Sequence, residues 1–216
     1  MADNSSIDMI RATQADIPAL SGVLAQAFHD DPVFQWLVPD PEPRRSTLPS
    51  VFAAFARVYV PHGESYLAGN ATGAALWAPP GVDPFDGRAL EVFAREMTET
   101  LGDRVERALE LDQILREHHP EEPYAFLQLI GVSPAGQGRG LGSRMLHAVL
   151  RRCDLRGTPA YLEATSVANR RLYHRYGFET VSEVTIPGGP TLWAMWRTPQ
   201  RSARTATPLV TSGHAV

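Results

Sequence analysis

The stretch Ile130-Gly-Val-Ser-Pro-Ala-Gly-Gln-Gly-Arg-Gly-Leu-Gly-Ser143 constrains the fold more than any other part of the chain. It reads as a strand ending at Ile130-Gly131-Val132, a glycine loop through Gln137, Gly138 and Arg139, and an amphipathic helix opened by Gly140, Leu141, Gly142 and Ser143. Glycines let backbone approach a phosphate closely. The unpaired N–H groups of a first helical turn also present the positive end of the helix dipole. The segment therefore suits an anion of the pyrophosphate kind. A plain turn does not need glycines at three alternate positions, which cost conformational entropy. A dinucleotide-binding Gly-x-Gly-x-x-Gly does not fit, because counting from Gly138 the third glycine position holds Ser143. All 20 basic residues are arginine, which excludes a phosphate-loop lysine and a Schiff-base lysine.

Around this segment the pattern alternates strands and helices. Met9 to Arg11 reads as a short strand and Thr13 to Phe28 as a capped helix that buries Ile17, Leu20, Leu24 and Phe28. The prolines and aromatics from His29 to Pro43 predict a break in regular structure that shapes a pocket. A second helix is expected over Arg44 to Val60. Ser65 to Ala68 and Ala74 to Ala78 form a hairpin about Gly69-Asn70-Ala71-Thr72-Gly73. Gly87 to His119 reads as two helices parted at Gly102-Asp103. The remainder is a strand over Tyr124 to Val132, a helix over Gly140 to Leu155, a strand over Ala160 to Thr165, a short helix over Ala168 to Tyr176, and an antiparallel pair over Phe178 to Ile186 and Thr191 to Arg197. The expected organisation is a flexible start over residues 1–8, one domain over 9–198 and a disordered tail over 199–216.

A net charge of −4 and a pI near 6.0 give no electrostatic footprint for nucleic acid. The lone Cys153 allows no internal disulfide. The polar start lacks a signal-peptide pattern and no apolar run reaches membrane-spanning length, so a cytoplasmic protein that binds neither membrane nor nucleic acid is expected. No metal site is expected either. Adjacent His118 and His119 in a proline-containing loop converge poorly on one ion, and a solvated loop is the expectation there.

Val132-Ser133-Pro134 followed by Gln137-x-x-Gly140-x-Gly142 resembles the acetyl-CoA motif of the GNAT superfamily of N-acetyltransferases. Asn169 and Leu172-Tyr173-His174-Arg175-Tyr176-Gly177-Phe178 resemble that superfamily's second signature. The resemblance implies an α/β (α+β) fold: a twisted, mostly antiparallel sheet of about seven strands flanked by helices, with two central parallel strands splayed to hold acetyl-CoA as cosubstrate. It further implies that the backbone of Ile130 and Val132 pairs with the pantetheine and that N–H groups from Gln137 to Ser143 hold the pyrophosphate. Asn169 reaches in from the opposite side, and an N–H at Ile130 or Gly131 faces the carbonyl oxygen. Tyr173 matches the general acid, while Tyr176 and Phe178 are expected to pack. Many members carry a glutamate on the first splayed strand, where this chain has Gln128, Leu129 and Ile130. Glu163, an ionisable residue alternating with apolar neighbours, is the alternative base, with a structural buried carboxylate as the competing reading. His174 is expected at the surface.

Within the superfamily the likeness is greatest to puromycin N-acetyltransferases. It runs from about Ile10 to Thr198 and is carried by Glu122-Pro123, Gly131-Val132-Ser133-Pro134, Leu162-Glu163 and the Trp193-x-Met195 strand. It implies acetyl transfer to a primary amine of a small molecule, antibiotic-like or cationic, by a monomer or homodimer. Phe28, Asp30, Asp31, Phe34 and Trp36 are the expected acceptor pocket, with capping and core packing as their alternative roles. A peptide or protein N-terminal acetyltransferase and a non-catalytic acetyl-CoA sensor remain as alternative functions.

Overall fold

Seven strands form one sheet, in the order β1-β2-β3-β4-β5-β7-β6, in a computed structural model that describes residues 9–200. The strands are β1 (Met9–Arg11), β2 (Ser65–Ala68), β3 (Gly73–Ala78), β4 (Ala125–Val132), β5 (Ala160–Ala164), β6 (Glu179–Thr185) and β7 (Thr191–Arg197). Every neighbouring pair is antiparallel except β4 and β5. Seven α-helices accompany them among the described residues: α1 (Ile17–Ala27), α2 (Pro32–Leu37), α3 (Pro41–Tyr59), α4 (Gly87–Leu101), α5 (Val105–Arg116), α6 (Leu141–Arg156) and α7 (Val167–His174). This is the mixed architecture expected from the motifs. Residues 1–8, expected to be flexible, and most of the tail expected to be disordered, from 201 on, lie outside the described residues.

Both faces of the sheet are covered, which explains why β3, Gly-Ala-Ala-Leu-Trp-Ala, is buried at every position. Ala74, Leu76 and Ala78 meet α1 and α3, while Ala75 and Trp77 meet the α6 side. Helix α6 follows from its sequence: Leu141, Met145, Leu146, Val149, Leu150 and Cys153 form the buried stripe. Left-handed glycines bound it, Gly140 at the N-cap and Gly157 beyond the last turn.

The stretch from His29 to Pro43 is more regular than its composition predicts. Asp31 accepts a hydrogen bond from the Val33 N–H at 2.9 Å and Pro32 takes the first helical position, so α2 forms where a break was expected. Helix α3 begins at Pro41 rather than Arg44, since prolines in a first turn forfeit only N–H groups that have no helical partner. Arg44 is buried instead. It donates to the carbonyls of His29, Val38 and Pro39 at 2.6, 2.7 and 2.7 Å and clasps the α2–α3 linker.

The feature that positions the site is a parting of strands. Pairing between β4 and β5 runs over Ala125↔Ala160, Phe126↔Tyr161 and Leu127↔Leu162 and then stops, although β4 continues to Val132. On its other side β4 pairs Leu127 with Trp77 and Leu129 with Leu76, leaving Gln128 as an extra residue. That is a β-bulge, which bends a strand and ends pairing.

Past the bulge, Gly131 lies under α1. A Cβ there would sit 2.6 Å from the Ala27 Cβ and 3.3 Å from Phe28 Cε2. Gly131→Ala is therefore expected to destabilise the fold by about 1–3 kcal/mol through overpacking, seen as a lower urea midpoint at unchanged slope. An unchanged midpoint would mean that α1 yields freely.

Candidate active site

The loop after β4 is held from behind by the β2–β3 hairpin, where the Ser133 N–H donates to the Thr72 carbonyl at 2.8 Å. Gly138 and Gly140 adopt φ of +74° and +72°, values that residues with a Cβ adopt at a cost of about 1–2 kcal/mol. The result is a run of backbone N–H groups, residues 138 to 143, that donate to no backbone carbonyl among the described residues. They stand at the N-terminus of α6, where residues Gln137, Gly138, Arg139 and Gly140 are exposed and Leu141 is anchored in the core. An anionic diphosphate fits this cradle, and the unpaired edge of β4 beyond Leu127 fits an extended amide chain.

At the parting of the strands lies a cavity of about 260 Å³ touched by Ile130 of β4, Glu163 of β5, and Asn169 and Tyr173 of α7. Helix α7 is capped by Ser166, whose Oγ accepts from the Asn169 N–H at 3.2 Å. Tyr173 is buried with its ring edge-on to Phe178 at 5.9 Å. Burial first, and the charge of Asp31 second, push its phenol well above the ordinary tyrosine value. It therefore holds its proton at neutral pH.

Glu163 lines this cavity and also a second one of about 370 Å³, so it stands where the two meet. Its side chain is only 8% exposed. His119 Nε2 approaches its Oε1 to 3.0 Å but off the direction of a well-formed bond, and Oε1 has no aligned donor. The effect of the carboxylate is felt around it: burial first and Glu163 second raise the phenols of Tyr59, Tyr124 and Tyr161, Tyr124 to about 12. Gln128, also shared by both cavities, accepts a 2.6 Å hydrogen bond from the Tyr59 hydroxyl.

The residues expected to line an acceptor pocket separate. Phe28 and Phe34 line the 260 Å³ cavity and pack against Phe52, the first tilted and the second edge-on. Asp30 is 84% exposed beside His29. Asp31 caps α2 and accepts a hydrogen bond from the Thr165 hydroxyl, which ties α2 to the end of β5. Trp36 packs under the Arg107 guanidinium. None of these last three touches either cavity. His119 corrects the solvated-loop expectation: it is half-buried, with its ring 5.0 Å from those of Phe126 and Tyr161. His174 is exposed and Phe178 is buried, as expected.

The description of the GNAT acetyltransferase family matches residues 108–178, a span that contains β4, the glycine loop, α6, β5 and Tyr173. A Corynebacterium glutamicum structure, named as a histone acetyltransferase HPA2 and related acetyltransferase, superposes with a TM-score of 0.66 at 28% identity over 92% of this chain and 99% of its own. The chain is an acetyltransferase with the GNAT fold. An uncharacterised N-acetyltransferase of Schizosaccharomyces pombe is 25% identical over 187 residues, 78% of this chain and 72% of its own. A Drosophila melanogaster polyamine N-acetyltransferase shares the fold, with a TM-score of 0.65 at 17% identity over 89% of this chain and 100% of its own. The matched span and the parting of the strands coincide.

Proposed function

We propose that this GNAT chain transfers an acetyl group from acetyl-CoA to a primary amine of a small molecule by direct attack on the thioester. The observation that carries the reading is the single cavity in which an ionisable carboxylate, Glu163, and a proton-bearing phenol, Tyr173, both reach the gap between β4 and β5. Acetyl-CoA would supply the activated acetyl group, held by the N–H groups of Gly138 to Ser143, by the β4 backbone at Ile130 and Val132, and by Asn169; the Gln137 N–H, expected to join them, donates to the Pro134 carbonyl at 3.4 Å instead. Glu163 takes the proton of the attacking amine. Backbone N–H at Ile130 or Gly131 stabilises charge on the carbonyl oxygen. Tyr173 gives its proton to the departing sulfur.

Two features support a small cationic acceptor. Helices α4 and α5 line the 260 Å³ cavity with Phe93, Met97 and Leu109, which suits an apolar body. The adjoining cavity carries Asp83, Glu121 and Glu122, which suits positive charge. Amine acceptors also appear in the naming of the Drosophila neighbour. The likeness to puromycin N-acetyltransferases makes puromycin the first acceptor to try, with antibiotic resistance as the corresponding role and a cytoplasmic location.

The test follows release of free CoA thiol from acetyl-CoA with puromycin, polyamines, aminoglycosides, anionic amines and short peptides. Release with cationic small amines is expected. Release with peptides alone would make the chain a peptide acetyltransferase, preference for anionic amines would remove the charge argument, and tight binding without release would make it a sensor.

A further inference from the structure

Each ammonium that is acetylated must shed one net proton to solution: RNH3+ and the thioester become amide, free thiol and H+. Glu163 is buried at the junction of two cavities, so a proton received there needs a way out. We infer that His119 is that way out, a positioning residue that accepts the proton from Glu163 and passes it to solvent through the outer cavity. The inference rests on Glu163 being the base of the proposed transfer.

The geometry is a short chain of polar atoms. His119 Nε2 is 3.0 Å from Glu163 Oε1, a distance at which a small turn of either side chain aligns the pair, and its Nδ1 is 2.8 Å from the Tyr124 hydroxyl. A neutral His119 with its proton on Nδ1 donates to the Tyr124 oxygen and leaves Nε2 able to take a proton from Glu163. The product is an imidazolium beside a restored carboxylate. The imidazolium then loses a proton to water in the outer cavity, which His119 and Tyr124 both line. No bond other than N–H and O–H forms or breaks, and no co-reactant is needed.

The surroundings favour a transient positive charge. Besides Glu163, the outer cavity presents Asp83 from the loop after β3, Asp112 from α5, and Glu121 and Glu122 beside His119 itself. The one arginine there, Arg116, is bonded to Asp112 at 2.7 Å. Tyr59 and Tyr161 complete the titratable neighbours. The rings of Tyr124, Phe126 and Tyr161 hold the imidazole edge-on, at centroid separations of 6.0, 5.0 and 5.0 Å, so its orientation is set by packing.

The test compares wild type, His119→Gln and His119→Ala with one accepted amine, from pH 6.5 to 9.5. At neutral pH kcat is expected to fall about 10- to 100-fold in both variants, with KM for acetyl-CoA unchanged. The deficit should shrink as pH rises, because the amine then arrives already deprotonated, and millimolar imidazole should restore part of the His119→Ala rate. A deficit that is constant with pH and insensitive to imidazole, or no deficit at all, overturns the relay. An inactive wild type would instead overturn the proposed transfer itself.

Discussion

Tyr173→Phe is expected to lower kcat by 10²-fold or more while leaving the Kd for acetyl-CoA unchanged. General acids contribute about 10²–10⁴-fold, and the substitution removes only an oxygen. The ring packs edge-on to Phe178 at 5.9 Å, a contact that phenylalanine keeps, so the thermal midpoint near neutral pH should not move. The pH dependence carries a second signature. Burial, with Asp31 adding to it, raises the folded-state phenol above its unfolded value, so the unfolded chain ionises first as pH rises. The stability this group contributes is full below about pH 10 and declines as pH climbs toward the folded value. Tyr173→Phe should thus soften alkaline destabilisation, and no alkaline limb in kcat below about pH 10 should come from this residue. Equal turnover of variant and wild type would strike Tyr173 from the chemistry.

What could be read in advance divides by sequence distance. The anion cradle is local: Gly138 and Gly140 lie two residues apart, and the left-handed backbone they adopt is one that the residue type alone favours. The order of helices and strands was legible for the same reason, since each carries its own periodicity and punctuation. Helix α2 was not, because Asp31-Pro32 is both a helix start and part of a proline-rich stretch, and packing of Val33, Phe34 and Leu37 decides between the two. The bulge at Gln128 depends on register against β3, which no local pattern encodes. Long-range polar pairs were equally silent. Asp31 and Thr165 are 134 residues apart, and that contact turns an expected acceptor residue into a cap and a strand tie. His119 looks solvated beside Pro120 until β5 brings Glu163 against it.

Glu163 is where the catalytic and the structural readings separate most cleanly. A carboxylate kept for architecture is ordinarily satisfied by several donors, because an unmet buried acceptor costs about 1–3 kcal/mol. Glu163 departs from that pattern: its Oε1 has no aligned donor, and its strand neighbour across β7 is Ala194, which offers no side-chain partner. Glu163→Gln keeps the shape of the side chain while removing its capacity to accept a proton as a carboxylate. The expected result is a kcat lower by 10²-fold or more near pH 7, with a thermal midpoint equal to or above that of the wild type. A structural anchor would behave in the opposite way, with a midpoint lowered by several degrees and turnover by the remaining folded protein nearly intact. Raising the assay pH adds a further discrimination. If Glu163 removes the amine proton, the variant should recover as the acceptor deprotonates in solution, whereas a loss caused by a distorted cleft would persist across the range. Because His119 acts through this carboxylate, Glu163→Gln combined with His119→Gln should be no slower than Glu163→Gln alone, the non-additivity expected of two residues working as one unit.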